Sequence, residues 1–192
     1  MKCEEDRSMQ EELLVIQCSP TMAGLKTGSL FTCPLEDRRT LTDTIRQMNR
    51  RFGSRGIRIL PMKYMKDRIL VYMYRPERLA ADLKHQEARK ILNEMDYPVG
   101  NPDRCVVELV HRLNQEEEFP HEIGLFLGYP PEDVRSFMAM GGSKAKYTGI
   151  WQAYGDVEHA KRTYRQYQEC TRRYYEAFRI YHSIDRLVVS CS

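Results

Sequence analysis

The sequence predicts an α+β fold: a small sheet, made of a buried first strand plus a hairpin, packed against several helices, with a long C-terminal helix. Three observations predict it. Ile57–Tyr64 and Arg68–Tyr74 are strand-like runs joined at Lys66-Asp67, as in a hairpin. Apolar residues recur at helical spacing on either side of them. Near the end, Ala160, Tyr164, Tyr167, Thr171, Tyr174, Phe178 and Tyr181 form one stripe of a long helix. Strands do not alternate strictly with helices, which argues against a doubly wound sheet.

Residues 1–12 are polar and read as helical or frayed. Leu13–Gln17 is short and partly β-branched, which predicts the buried first strand. Ser19 then reads as the cap of a helix that begins at Pro20 and is kept short by Gly24 and Gly28. Leu30 and Phe31 return to the core. Leu35–Phe52 is expected to be a helix, with Leu41, Ile45, Met48 and Phe52 inward. Pro61 cannot donate a ladder bond, so the first hairpin strand is expected at an edge. Pro76 opens a helix with Leu79, Leu83, Ala88, Ile91, Leu92 and Met95 on its apolar face. After a turn at Tyr97–Pro102, Asp103–Asn114 is a further amphipathic helix. Glu116–Glu118 read as a solvated linker.

The densest stretch is Phe119–Phe137. Pro120 suits a first helical turn. Gly128 suits the left-handed residue that closes a helix, with Pro130 just beyond. Pro131 opens the next helix, and Glu132 and Asp133 place negative charge at its positive end. Gly141 and Gly142 end it. Residues 143–155 are irregular, with Trp151 expected to plug the core. Asp156 is the expected N-cap of the last helix, Val157 to about His182, and Arg186–Ser190 a short return strand.

A length of 192 residues fits a single domain, 1–192. A net charge of +3 is too small to imply nucleic acid or an anionic membrane. No apolar run approaches the roughly 20 residues needed to span a bilayer, so no membrane partner is expected. The charged start, without an apolar h-region, is not a signal peptide, and a cytoplasmic location is expected. The six cysteines include no C-x-x-C pair and no His cluster accompanies them, so no metal is assigned. They are expected to be free thiols. No nucleotide-binding glycine motif points to a cofactor.

CSPTMAGLKTGSLF (Cys18–Phe31), PHEIGLFLGYPPEDV (Pro120–Val134) and WQAYGD (Trp151–Asp156) resemble the motifs of a bacterial family catalogued as domain of unknown function 3793. The resemblance spans nearly the whole chain. It implies a cytoplasmic bacterial protein and brings no activity, cofactor or site residue with it.

The residues themselves suggest four sites. Cys18, placed between a strand and a helix start, would feel the helix dipole and favour the thiolate, with His121 as base and Glu122 beside it. The bland alternative is a packed thiol and a surface histidine. Glu122–Phe137 has the apolar spacing of a helix-turn-helix. Carboxylates at Glu132 and Asp133 would meet the DNA backbone, leaving only Arg135 with the right sign, which argues against DNA. The basic and aromatic residues of the last helix read as packing on one face and wet arginines on the other. Its length makes it a candidate homodimer contact. Gly24–Gly28 is not a P-loop but can hold an anion, with Lys26 as the cation and Ser19 and Tyr129 as further ligand-binding candidates. The leading expectation is an intracellular binding or regulatory protein that uses the Cys18–Lys26 loop and the Pro120–Val134 pair to hold a small anion or a protein partner. Cysteine-dependent enzyme or redox chemistry and DNA binding are the alternatives.

Overall fold

The computed structural model describes residues 2–34, 37–115 and 118–190, with side chains from Glu11 onward. The expected helix start at Leu35 and the linker residues Glu116 and Glu117 lie outside the described residues. The α+β class holds, but its first element does not. Leu13–Gln17 is not a strand; it belongs to helix α1 (Lys2–Met22). The apolar run was too short to discriminate, and the longer spacing decides. Glu11, Val15, Cys18 and Met22 are buried while Ile16 is 47% exposed, which is a helical period rather than a fully buried strand. Pro20 accordingly lies inside α1 instead of opening a helix, and Ser19 donates back to the Val15 carbonyl instead of capping.

The first strand is β1 (Gly28–Pro34), and it is followed by helix α2 (Arg38–Phe52). The hairpin β2 (Arg58–Tyr64) and β3 (Arg68–Tyr74) forms as expected. All pairings are antiparallel in the order β1-β3-β2, with Phe31 opposite Val71 and Ile59 opposite Met73. Central β3 alternates strictly. Ile69, Val71 and Met73 face the core shared with α1, α2 and Phe178; Tyr72 and Tyr74 face the opposite core. Helices therefore cover both faces of the sheet.

Strand β2 is an edge, with its register shifting between Pro61 and Lys63. Its free backbone groups are taken by side-chain amides. Asn49 exchanges two hydrogen bonds with Ile59 (2.9 and 2.8 Å), and Asn114 donates to the Met62 carbonyl at 2.7 Å.

The second core is built by α3 (Pro76–Asp82), α4 (Gln86–Glu94), α5 (Pro102–Gln115), the single turn α6 (Ile123–Phe126) and α7 (Pro131–Met140). The helix expected from Pro76 onward is thus two, bent at an extended His85 (ψ 136°). A short ladder, β4 (Tyr147–Thr148) with β5 (Gln152–Ala153), precedes α8 (Val157–Tyr181). Asp156 caps α8 by accepting from the His159 N–H at 2.8 Å. Arg186–Ser190 is not a strand. Ile184–Arg186 is a 3₁₀ turn, and the chain then lies against the end of α1, where the Val189 N–H donates to the Met22 carbonyl at 3.1 Å.

Two arginines tie these elements together. Arg75, between β3 and α3, is only 1% exposed. Its guanidinium donates to the carbonyls of Thr21 (2.7 Å), Met22 (2.6 Å), Arg55 (3.1 Å) and Val189 (2.7 Å). Two of these belong to the last turn of α1, where carbonyls lack helical partners and carry negative partial charge. Arg51 reaches Glu11 on α1 at 2.9 Å and holds Asp185 by two bonds of 3.2 and 2.7 Å, so α1, α2 and the C-terminal turn share one ion network.

Replacing Arg75 with Met keeps much of the volume but removes four charged hydrogen bonds that join α1, the turn after α2 and the C-terminal segment. The expected loss is about 3–5 kcal/mol of stability, measured by urea unfolding. Lys should not rescue it, because one ammonium cannot reproduce the guanidinium fork. A Lys variant as stable as the parent would show that the fork is dispensable.

Candidate functional site

After α1 the chain folds back on itself. The Pro20 carbonyl accepts from the N–H groups of Leu25 (2.8 Å) and Lys26 (3.0 Å), and Thr27 donates its hydroxyl to Asp82 of α3. Arg78 donates to the Gly24 carbonyl, closing the loop against α3. Loop 24–27 is thereby held beside the bend that carries His85.

The second wall comes from the stretch around Gly128. This residue has φ +77°, and a Cβ there would lie 2.6 Å from the Thr27 hydroxyl oxygen. Only glycine satisfies both the turn and the close approach. Gly124 similarly lets α6 meet α7, since a Cβ there would lie 2.8 Å from Val134. Gly128 closes α6 and Pro131 opens α7, as the sequence predicts.

Asp133, in the first turn of α7, is buried and does more than complement the helix dipole. Its carboxylate accepts from the Trp151 indole N–H (2.8 Å) and from the backbone N–H groups of Tyr154 (2.8 Å) and Gly155 (3.1 Å). Three charge-assisted bonds therefore fasten the Trp151–Asp156 motif to the Pro120–Val134 motif. Trp151 is consequently not a core plug. It is half-buried, and its ring stacks on Tyr129 at 5.3 Å between centroids. The Lys26 ammonium lies over the other partner of this stack, 5.3 Å from the Tyr129 ring centroid.

These walls enclose a cavity of about 370 Å³, at the lower end of the range usual for small-molecule sites. Leu25, Gly128, Tyr129 and Trp151 line it from the three motifs. Arg78, Asp82 and His85 line it from α3 and the α3–α4 bend. His159, Thr163, Gln166 and Tyr167 line it from one face of α8, as their spacing allows. Burial raises the Tyr129 and Tyr167 phenols to about 12, so both are neutral hydrogen-bonding groups at neutral pH. Burial lowers Lys26 to about 8. Asp82 is already occupied by Thr27, and apart from the two phenols the other ionisable side chains lining the cavity are Arg78, His85 and His159.

The remaining sequence candidates lie elsewhere. Cys18 is not at a helix start. It sits in the last turns of α1, fully buried, and burial pushes its thiol up despite Lys26 and a hydrogen bond from Ser29. The environment that would favour a thiolate is therefore not formed. Ser19 is buried with its hydroxyl turned back into α1. His121 is exposed, edge-on to Phe137 at 4.9 Å. Glu122 is buried and accepts from the Tyr97 hydroxyl at 2.7 Å, beside the core opposite to that of Cys18. Of the six candidates the structure brings Lys26 and Tyr129 together.

A helix-turn-helix is not formed either. The first helix of the pair is one turn long, the start of α7 is covered by Trp151 and Tyr154, and Arg135 pairs with Glu94 at 2.9 Å. Among the described residues no cluster of three or more His, Cys, Asp or Glu is arranged for a metal, and no helix is long and apolar enough to cross a membrane. Sequence reasoning missed Asp133 as a clamp and the α8 face as a wall. Asp133 follows a helix-opening proline, so dipole complementation explained it too easily. His159, Thr163 and Gln166 fall beside a tyrosine stripe that already had a packing role.

Among known proteins, residues 14–188 match a family described as protein of unknown function (DUF3793). No curated protein and no solved structure matches the chain.

Asp133→Ala should release the Trp151–Asp156 segment. We expect a red-shifted Trp151 emission and about 1–3 kcal/mol lower stability; an unshifted spectrum would mean the aromatic stack holds the segment unaided. Lys26 gives a pH signature. Unfolded it titrates near its ordinary 10.5, folded near 8. Between these values the unfolded chain holds the extra proton, so Lys26 adds stability as pH rises from about 8 and loses it as pH falls through 8. In urea melts from pH 7.5 to 9.5 the parent should gain stability relative to Lys26→Met. Parallel curves would show that the ammonium is not buried at a cost.

Proposed function

The chain belongs to the DUF3793 family, whose description assigns no activity, and from the geometry of its pocket we propose a small-molecule-binding function. The proposed ligand carries a planar ring and an anionic group. The carrying observation is convergence: the three motifs meet only in the folded chain, and each contributes a wall to the same cavity. The stacked Tyr129 and Trp151 supply a face for a planar ring. Arg78, His85 and His159 at the walls, with Lys26 behind Tyr129, supply the complementary sign for an anion. Thr163 and Gln166 provide neutral donors and acceptors to fix orientation.

This reading keeps the expected anion-binding role of Lys26 and Tyr129 and gives Cys18 no chemical part. A regulatory role would follow from ligand occupancy, because the pocket spans loop 24–27, α3, α7 and α8. A homodimer contact through α8 belongs to the proposal only at the helix end, where Ile180 and Tyr181 are 73% and 49% exposed.

Trp151 is the only tryptophan, so its emission reports on the pocket directly. The protein is titrated with adenosine 5′-monophosphate, indole-3-carboxylate and inorganic phosphate. A saturable change is expected with at least one ring-bearing anion and none with phosphate alone. Tyr129→Ala and Arg78→Gln should each weaken binding by about tenfold or more, the size of one lost stacking or charged contact. A flat response to both ring-bearing anions, or unchanged affinity in both variants, rejects the proposal.

A further inference from the structure

The charge of this chain is unevenly distributed. Residues 37–75 contain eleven Lys and Arg against three Asp, a net +8, whereas the whole chain is +3 and the remainder therefore −5. Three of the eleven turn inward: Arg51 and Arg55 to the C-terminal turn, and Arg75 to its carbonyls. Arg46 pairs with Asp43, and Arg38 covers the Tyr64 ring at 4.6 Å. Arg39, Arg50, Arg58, Lys63, Lys66 and Arg68 remain, without an ion pair among the described residues and all but Lys63 exposed.

Elsewhere a number of cations are neutralised by neighbours on their own helix. Lys90 pairs with Glu87, Arg112 with Glu108, Lys161 with Glu158, and both Arg172 and Arg173 with Glu169. Among the described residues, exposed cations without an ion pair also occur elsewhere, among them Lys84, Arg89, Arg104, Lys144, Lys146, Arg165 and Arg179, but residues 37–75 carry theirs at a net +8. That charge flanks a single edge. Asn49 bonds to Ile59, which sets α2 alongside β2, and Arg38 on Tyr64 ties the start of α2 to the end of β2. Arg50 lies next to Asn49, Arg58 and Lys63 lie on β2, and Lys66 and Arg68 lie at the hairpin turn.

The chemistry of the patch selects its partner. A protein interface draws its affinity from buried aromatic and apolar anchors. Here the only large exposed apolar side chain is Met65 at 37%; Val107, Phe119, Ile180 and Val189 are on other elements. Tyr64 cannot stack on an unpaired base, because Arg38 already covers it. What remains is a set of cations on both sides of the β2 edge, Arg39 and Arg50 on α2 and Arg58 and Lys63 on the other face of the strand, mostly guanidinium forks suited to phosphate oxygens. Strand β2 is about 20 Å long at about 3.3 Å per residue, over which duplex DNA presents roughly twelve charges.

We propose that the α2–β2 edge is a sequence-independent binding surface for the phosphate backbone of duplex nucleic acid. It is separate from the pocket, uses none of its residues, and does not depend on a helix-turn-helix.

The test is fluorescence anisotropy of a fluorescein-labelled 20-base-pair DNA duplex with the full chain. Saturable binding is expected at 50 mM NaCl. If about four to six phosphates are neutralised, affinity should fall about 10²–10³-fold at 200 mM. Arg39→Glu, Arg50→Glu and Arg58→Glu combined should weaken binding at least tenfold at 50 mM. Arg172→Glu with Arg173→Glu, at cations already paired, should change it less than threefold. Should the triple variant lose its helical circular dichroism, Lys66→Glu with Arg68→Glu at the hairpin turn makes the same test. Absence of saturable binding at 50 mM overturns the proposal, as do equal losses in the patch and control variants. Tighter binding to phosphatidylserine vesicles or to polyglutamate than to the duplex also overturns it, assigning the patch to a membrane or to an acidic protein.

Discussion

The burial of Arg75 is the constraint on which the rest depends. A guanidinium removed from water costs several kcal/mol unless its donors are met. It is met by four carbonyls from three places: two from the last turn of α1, one from the turn after α2, and one from the C-terminal segment. Each charged bond contributes about 1.5–3 kcal/mol, so the set offsets the burial only when all those segments are in place. The same set gives a further, charged donor to the Thr21 and Met22 carbonyls at the end of α1, which also accept from the Gly24 and Val189 N–H groups. One side chain thereby joins the end of α1, the exit of the central strand and the segment at Val189.

The pocket is a downstream consequence. Because α1 ends at Arg75, the chain must turn at once, and loop 24–27 lands beside α3. The Arg75 N–H holds the Thr27 carbonyl at 2.9 Å, and Thr27 in turn holds Asp82. On the other side Asp133 binds the Trp151 segment to α7. Two buried polar groups, one cationic and one anionic, hold opposite walls of one cavity. Both act mainly on backbone groups, which is why neither looks like a site residue in the sequence. Such fully satisfied polar sets specify one arrangement because a partial set is costly.

The surface shows a related division. On α8, Lys161, Arg172 and Arg173 each meet a glutamate three or four residues away, which neutralises them. Along α2 and the hairpin, Arg46 with Asp43 is the one such pair among the described residues. The bulk net charge conceals this because the acidic residues lie elsewhere in the chain. A whole-chain average is the wrong quantity for a surface interaction, since screening limits exposed charges to about a Debye length of 8–10 Å.

Much of the architecture was legible because it depends on local rules. The α+β class, the hairpin, the edge position enforced by Pro61, the Asp156 cap, the Gly128 turn and the Pro131 start follow from backbone restrictions that a residue carries wherever it sits. The family resemblance rested on motifs equally visible in the chain. Local rules failed where a segment is indifferent on its own. Leu13–Gln17 is apolar enough for strand or helix, and packing with α8 and the sheet decided. Pro76–Met95 has an unbroken helical pattern, yet tertiary contacts bend it at His85. Cys18–Lys26 was read as one binding loop, but the helix carried the thiol into the core and left the ammonium over Tyr129. What the sequence determined alone is the α+β class, the hairpin, the long last helix with its Asp156 cap, and the Gly128 and Pro131 punctuation. Which motifs share a cavity, and which charged groups are buried and satisfied, was decided only by the tertiary structure, because those contacts join residues tens of positions apart.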